Sequence, residues 1–312
     1  MKSNTESPPS VGVAFITHCA ARHLPHSLPP VLASPLMPRV LVVNSSSNDG
    51  TVELAKQFGA EVLIIPRQEF NHGATRELAR HHLGTDIVVM MTPDAYATSP
   101  EMLANLVAPI QSGAASVAYA RQIPHKGANF FEAFPRIYNY PDRSHIRGLD
   151  DVKNYGSFLF FCSDTCAAWK NSALNEIGGF PPVLTAEDTV ATAKLLRHGH
   201  RIAYVSEAVV HHSHHYTLAQ EFKRYFDTGY CRRSMQALML GQRDEAHGKM
   251  FVLAMLRSLW THKPFLLPYG AAQVLAKYAG YKIGIHGHRL PPFFRRALSS
   301  QDYFWTSVWF TN

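Results

Sequence analysis

Four polar clusters carry the residue types that could do chemistry. Asp94 follows the apolar run DIVVMM at 86–91. A carboxylate at the end of a buried strand can hold Mg²⁺ or Mn²⁺. Such hard cations take oxygen ligands and commonly share them with substrate phosphates. The plainer reading is a turn aspartate in Thr-Pro-Asp-Ala. Glu187-Asp188 opens a helical stretch, where the positive helix end favours an ionised carboxylate. That suits a group that accepts a proton at neutral pH, although simple capping gives the same pattern. The run His211-His212-Ser213-His214-His215 holds four of the 18 histidines. In an extended chain, alternation puts His212 and His214 on one face, able to reach a metal or a phosphate. A solvated loop is the alternative. Finally, the run from Asn44 to Thr51 can offer backbone donors and short side chains to a nucleotide, or be an ordinary turn.

The surrounding pattern says how these clusters are held. Apolar, β-branched runs at 11–17, 39–43, 61–65, 86–91, 115–120 and 201–210 read as strands. Helical stretches at 51–58, 72–82, 100–112 and 185–199 lie between or after them. Thr185 is the expected N-cap of the last, with Asp188 at its third position. Strands alternating with helices imply βαβ units and a largely parallel sheet, with ligands beyond the carboxyl ends of the strands. The runs at 44–51 and 92–95 both fall at such ends, so one shared cleft is expected. Residues 18–38 are Pro-rich, 122–161 read as long loops with short strands, and 217–240 read as helix. Apolar helices broken by prolines fill the last 70 or so residues.

Composition narrows the classes. Lys plus Arg total 30 against 23 Asp plus Glu, a net charge of +7. That leaves nucleic acid, an anionic membrane surface or a phosphorylated substrate as partners. No nucleic-acid module appears, so no nucleic-acid partner is expected; a nucleic-acid binder would show steeply salt-dependent affinity. Four scattered cysteines make no disulfide framework, and Cys162 with Cys166 lacks the second pair a zinc site needs. The P-loop and G-x-G-x-x-G fingerprints are absent. No apolar run reaches the roughly 18 residues that span a bilayer, and residues 1–10 read as a disordered tail without a signal-peptide core. The basic residues Lys223, Arg224, Arg232, Arg233, Arg295 and Arg296 lie among aromatics, as a solvated face or as a surface for anionic lipid.

Taken in order, several pieces resemble the family 2 glycosyltransferases with a GT-A fold, in particular the bacterial rhamnosyltransferases that use a nucleotide-activated deoxysugar. They are VVNSSSNDGT at 42–51, EFNHGATRELA at 69–79, MMTPDA at 90–95, ARQIPH at 120–125, GGFPPVLTAEDTVATAKLLRHGHRIAYVSEAVVHHSHHY at 178–216 and EFKRYFDTG at 221–229. The resemblance implies an α/β fold with a Rossmann-like, mixed but mainly parallel sheet flanked by helices. The GT-A domain spans 11–232, with a nucleotide-binding half at 11–120 and an acceptor-binding half at 121–232. A helical C-terminal region follows at 233–312, placed against the membrane.

The implied reaction is inverting transfer of a sugar, rhamnose from dTDP-rhamnose, to a saccharide acceptor of cell-surface polysaccharide. The acceptor is expected to be lipid-linked, and the enzyme cytoplasmic, on the inner face of the plasma membrane. By resemblance, Asp94 holds Mg²⁺ or Mn²⁺ with His212, and His214 is a second candidate. Asp188 is the general base, with Glu187 beside it. Thr17, Asn44, Ser45 and Asp49 hold the nucleotide, and Arg76 reaches the diphosphate. Asn44 stands where the family usually has Asp, Pro93 where Gln is usual, and Asp164 where Asn is common. Two alternatives follow: transfer from another donor such as a UDP-hexose, or a non-catalytic nucleotide-sugar-binding homologue.

Overall fold

The apolar runs assemble one nine-stranded sheet, seen in a computed structural model that describes residues 8–242 and 245–310. The strands are β1 (Val11–Thr17), β2 (Arg39–Asn44), β3 (Glu61–Ile64), β4 (Ile87–Met91), β5 (Tyr96–Ala97), β6 (Val117–Ile123), β7 (His145–Arg147), β8 (Cys166–Lys170) and β9 (Ile202–His211). Their order is β3-β2-β1-β4-β8-β6-β9-β5, with β7 on the side of β9. β1, β2, β3 and β4 pair in parallel, as do β6 and β9, whereas β8 runs antiparallel between β4 and β6. The strand register sets Thr17 beside Asn44, so the loops after β1, β2 and β4 leave at one edge.

The helices are α1 (Leu24–Leu32), α2 (Thr51–Gln57), α3 (His72–Leu83), α4 (Met102–Gln111), α5 (Phe130–Asn139), α6 (Val152–Tyr155), α7 (Asn171–Glu176), α8 (Glu187–Arg197), α9 (Leu218–Met235), α10 (Glu245–His262), α11 (Leu267–Ile285) and α12 (Pro292–Leu298). Strand alternation feeds two apolar layers. Val13 and Phe15 meet Leu28 and Leu106 of α1 and α4 on one face. Ala14 and Ile16 meet Leu83 and Leu195 of α3 and α8 on the other.

One segment carried no expectation of its structure, and two others differ from theirs. The Pro-rich stretch folds as α1, with a proline in its first turn and Pro29 and Pro30 inside. Leu24, Leu28 and Val31, at helical spacing, are buried and offset the lost backbone bonds. The region read as loops contains α5, started by a capping box between Asn129 and Glu132. That signal was in the sequence, within a stretch rich in aromatics and turn residues. α8 begins one turn position later than expected: Ala186, at φ 66°, precedes Glu187, and Thr185 is not the cap.

α9 runs unbroken through residue 232, and α11 lies along it. A side chain at Gly280 or Gly284 would fall within 2.2 or 2.1 Å of the Phe222 or Phe226 carbonyl, so these glycines let the two backbones touch. The chain end then returns to the first half. Ser300 donates to Asp227 from its backbone N–H at 2.8 Å, and the Trp309 indole donates to the Glu69 carbonyl at 2.8 Å. The expected tail at 1–10 lies outside the described residues up to residue 7, and Ser10 is tied to Asp86 by bonds of 2.7 and 2.8 Å. Among the described residues, no helix is long and apolar enough to cross a membrane.

Candidate active site

The turn after β4 is fixed by Thr92, whose N–H donates to the Thr165 carbonyl at 3.1 Å just ahead of β8. This presents Asp94. From the other side of the sheet edge, the ladder continues past β9, with the His212 N–H donating to Ile123 at 2.8 Å. Alternation then acts as the sequence suggested. His212 Nε2 and His214 Nε2 lie 3.6 and 3.3 Å from Asp94 Oδ2. His211 turns away to Pro124 and His215 to Glu132. One potential ligand atom from each of Asp94, His212 and His214 lies within 4.8 Å of the others.

The protonation of this set suits a cation. Burial works to raise the Asp94 carboxyl, but the hydrogen bond and charge of His212, then His214, hold it well below the usual carboxylate range. Burial lowers the His212 imidazole, and burial with His212 beside it pushes His214 down to about 3. The group is therefore a carboxylate beside two neutral imidazoles. Gln122 fixes the tautomer. Its Oε1 accepts from Arg136 Nη1 at 2.8 Å, and Arg can only donate. The same oxygen lies 2.8 Å from His212 Nδ1, which must then carry the proton and leave Nε2 with a free lone pair.

Asp188 sits in the first turn of α8, partly buried. Its Oδ2 accepts from the Asp164 N–H at 3.3 Å and its Oδ1 from the Thr189 N–H at 2.6 Å. Burial and the neighbouring Glu187 raise its carboxyl to about 6. Burial, and then Asp188 and Glu187, also push Asp164 well up despite Arg76. Glu187 differs: burial opposes its ionisation, but Arg76 holds it below its usual range. Arg76 is nearly inaccessible, at 4% exposure. Its Nη1 pairs with Glu187 and its Nε lies 3.0 Å from Asp164 Oδ2. So the structure does not turn Arg76 toward a diphosphate. Its guanidinium is enclosed by carboxylates that a buried cation must balance. Likewise Glu187 is occupied by Arg76.

The segment 163–165 joins the two clusters: Ser163 Oγ accepts from Gln122 at 3.0 Å, Asp164 donates to Asp188, and Thr165 receives Thr92. The expected nucleotide residues line the neighbouring loops. Asn44 is fully buried and satisfied from within, donating to Thr17 Oγ1 at 3.2 Å and accepting from the Ser47 N–H at 2.8 Å. Ser45 Oγ receives Arg67 at 3.2 Å. Asp49 is exposed, and its carboxylate ties Ala21 to Thr51. A cavity of about 700 Å³ opens beside the metal set, lined by Arg22, His23, Asp94, Tyr96, Lys126 and His214 among others.

The profile of the family described as "Glycosyltransferase like family 2" matches residues 14–230. The chain belongs to this family. It is a glycosyltransferase with a GT-A fold. It is 34% identical over 280 residues to the O-antigen chain rhamnosyltransferase RfbN of Salmonella typhimurium, covering 88% of each chain. It is 33% identical over 279 residues to WbaN of Salmonella anatum, an O-antigen chain rhamnosyltransferase, again covering 88% of each. Among solved structures, it resembles a mannosyltransferase of Pyrobaculum calidifontis in complex with GDP-Man and Mn²⁺. The TM-score is 0.58 at 20% identity, covering 96% of this chain and 86% of that one. It also resembles S. aureus TarS 1–349 in complex with UDP-GlcNAc, at TM-score 0.58 and 16% identity, covering 95% and 89%. The matches to solved structures speak for the fold alone.

In this family 2 glycosyltransferase, some site residues were not legible as such. Gln122 and Arg136 act only through contacts 90 and 14 residues apart in sequence. Arg22 and Lys126 bring positive charge to the large cavity. Their one available signal was a basic residue just beyond a strand carboxyl end.

Proposed function

We propose that this glycosyltransferase moves rhamnose from dTDP-rhamnose, with inversion, to a saccharide acceptor in cell-surface polysaccharide synthesis. The observation that carries the chemistry is Asp94, His212 and His214 gathered around one point, linked through 163–165 to a carboxyl that titrates at about 6. The named relatives supply the sugar class. The acceptor oxygen attacks the anomeric carbon as the bond to the diphosphate breaks, and Asp188 takes the hydroxyl proton. A carboxyl near 6 is ionised at neutral pH yet basic enough to accept that proton. Arg22 and Lys126 draw the diphosphate into the large cavity. Asp94, His212 and His214 would hold the cation. The mixed carboxylate and imidazole set favours Mn²⁺ over Mg²⁺, which prefers oxygen alone. When bound, it neutralises charge building on the leaving diphosphate.

The acceptor is proposed to be lipid-linked and the enzyme cytoplasmic, resting on the inner face of the plasma membrane. Residues 246–301 contain eight lysines and arginines and no aspartate or glutamate. Met250, Leu253 and Trp260 are exposed on α10 at helical spacing with Arg257, and Leu275 and Tyr278 on α11. Such apolar faces with basic residues suit an anionic surface. Vesicles containing phosphatidylglycerol should sediment the protein, phosphatidylcholine vesicles should not, and salt should release it.

The transfer reading is tested by supplying dTDP-rhamnose and UDP-hexoses with Mn²⁺ and measuring release of nucleoside diphosphate. Release with dTDP-rhamnose supports it. Release only with a UDP-hexose changes the donor. Binding without turnover on any saccharide acceptor would make the chain a non-catalytic binder.

A further inference from the structure

We propose that Arg121 and Arg136 form a second anion site, separate from the metal set, that takes a phosphate group carried by the acceptor. A cavity of about 350 Å³ is lined by Arg121, Gln122, Arg136, Tyr140, Pro141 and Asp142 among others. The arginines come from different elements, β6 and α5. In both, the Nε atom is buried and has no hydrogen-bond partner. Arg136 uses Nη1 on Gln122 and lies 5.9 Å over the Tyr140 ring. Asp142 is exposed and pairs with neither arginine among the described residues.

The Nε atoms are closed off, so an anion in the hollow would meet the outer nitrogens: among the described residues Arg136 commits only Nη1, to Gln122, and Arg121 makes no hydrogen bond or ion pair. Their planar forks match the paired oxygens of a phosphate. This hollow shares no lining residue with the larger cavity beside Asp94. A donor diphosphate held at Asp94 therefore leaves it open. The two sites meet only at Gln122, whose Oε1 serves both Arg136 and His212. The anion site stands on this geometry; naming the acceptor as the source of the phosphate rests on the transfer reading.

The test uses the full chain in EDTA, titrated calorimetrically with inorganic pyrophosphate. Wild type should bind it, and Arg121→Gln should weaken binding at least tenfold. Arg121→Lys, which keeps a charge without the fork, should fall between them. Lys56→Gln, at an exposed lysine of α2 that lines neither cavity, should bind as wild type. A melting temperature within a few degrees of wild type guards against a misfolded variant. No pyrophosphate binding, or equal binding by Arg121→Gln, would overturn the site. A separate titration with dTDP and Mn²⁺ distinguishes the source. An unchanged dTDP affinity in Arg121→Gln supports the acceptor, whereas a loss matching that of pyrophosphate assigns these arginines to the donor and overturns the proposal. If wild type binds no dTDP at all, the transfer reading fails while the pyrophosphate titration still decides the anion site.

Discussion

The Asp164 N–H donates to Asp188 Oδ2 at 3.3 Å, one residue beyond the serine that anchors Gln122 and through it His212. Base and metal set are thus held by one short segment ahead of β8. Replacing Asp188 by Asn keeps the size and removes the proton acceptor. Transfer should fall about 10²- to 10⁴-fold, the usual worth of general base catalysis. Nucleotide binding should persist in calorimetry. The raised carboxyl means that ionised Asp188 strains the fold at pH 7, so the variant should melt no lower than wild type. A variant that melts early would point to a structural role instead.

The same carboxyl sets a pH dependence. It is active only when ionised, and burial with Glu187 places its midpoint at about 6. Initial rates should therefore rise with pH through that value and level off above it. Below it, protonated Asp188 cannot accept the acceptor's proton. A rate flat from pH 5 to 8 would remove Asp188 from the base role.

Gln122 leads to a prediction about metal affinity. Its Oε1 accepts from His212 Nδ1, and Arg136 prevents the amide from flipping. Gln122→Leu removes the acceptor that fixes the imidazole. Loss of such a partner typically costs 10- to 100-fold in metal affinity. Titrating Mn²⁺ into EDTA-treated protein should show that loss, and saturating Mn²⁺ should restore much of the activity. Asp94→Asn, which removes a ligand charge, should not be rescued in this way.

Local periodicity carried the parts of this site that depend on neighbours in sequence. The buried runs of β1 and β4 marked the strands, and alternation placed His212 and His214 together. What escaped the sequence depends on distant partners. Arg76 reads as a cleft cation in its motif, but Glu187 and Asp164, 111 and 88 residues onward, enclose it. Thr185 has the right residue type for a cap, yet the turn entering α8 places Ala186 there instead. Propensity does not see that α3 packs here, its Gly73 lying against Pro181 and Glu187.

Gly73 lies where α3 meets this turn. A Cβ at Gly73 would fall 1.9 Å from the Pro181 carbonyl oxygen and 3.3 Å from Glu187 Cβ. The first of these atoms is backbone, so it cannot rotate away. Overpacking a well-filled core costs about 1–3 kcal/mol, and more where backbone must move. Gly73→Ala should lower the melting temperature and displace the first turn of α8. Activity should fall even at temperatures where the variant stays folded, read as rate per mole of folded protein.

Ala186 tests the opposite case, a strain that can be relieved. Its φ of 66° and ψ of 32° are left-handed, immediately before Glu187 and Asp188. An L-residue with a Cβ there costs roughly 1–2 kcal/mol, which glycine avoids. Glycine also gains freedom in the unfolded chain, which offsets up to about 1 kcal/mol of that relief. Ala186→Gly should therefore be neutral to about 1 kcal/mol stabilising in urea unfolding, although most substitutions destabilise. If the left-handed turn serves only to aim Asp188, the rate should stay near wild type, because glycine holds the same angles. A clear loss of stability would mean that the Ala186 methyl packs well enough to outweigh its backbone strain.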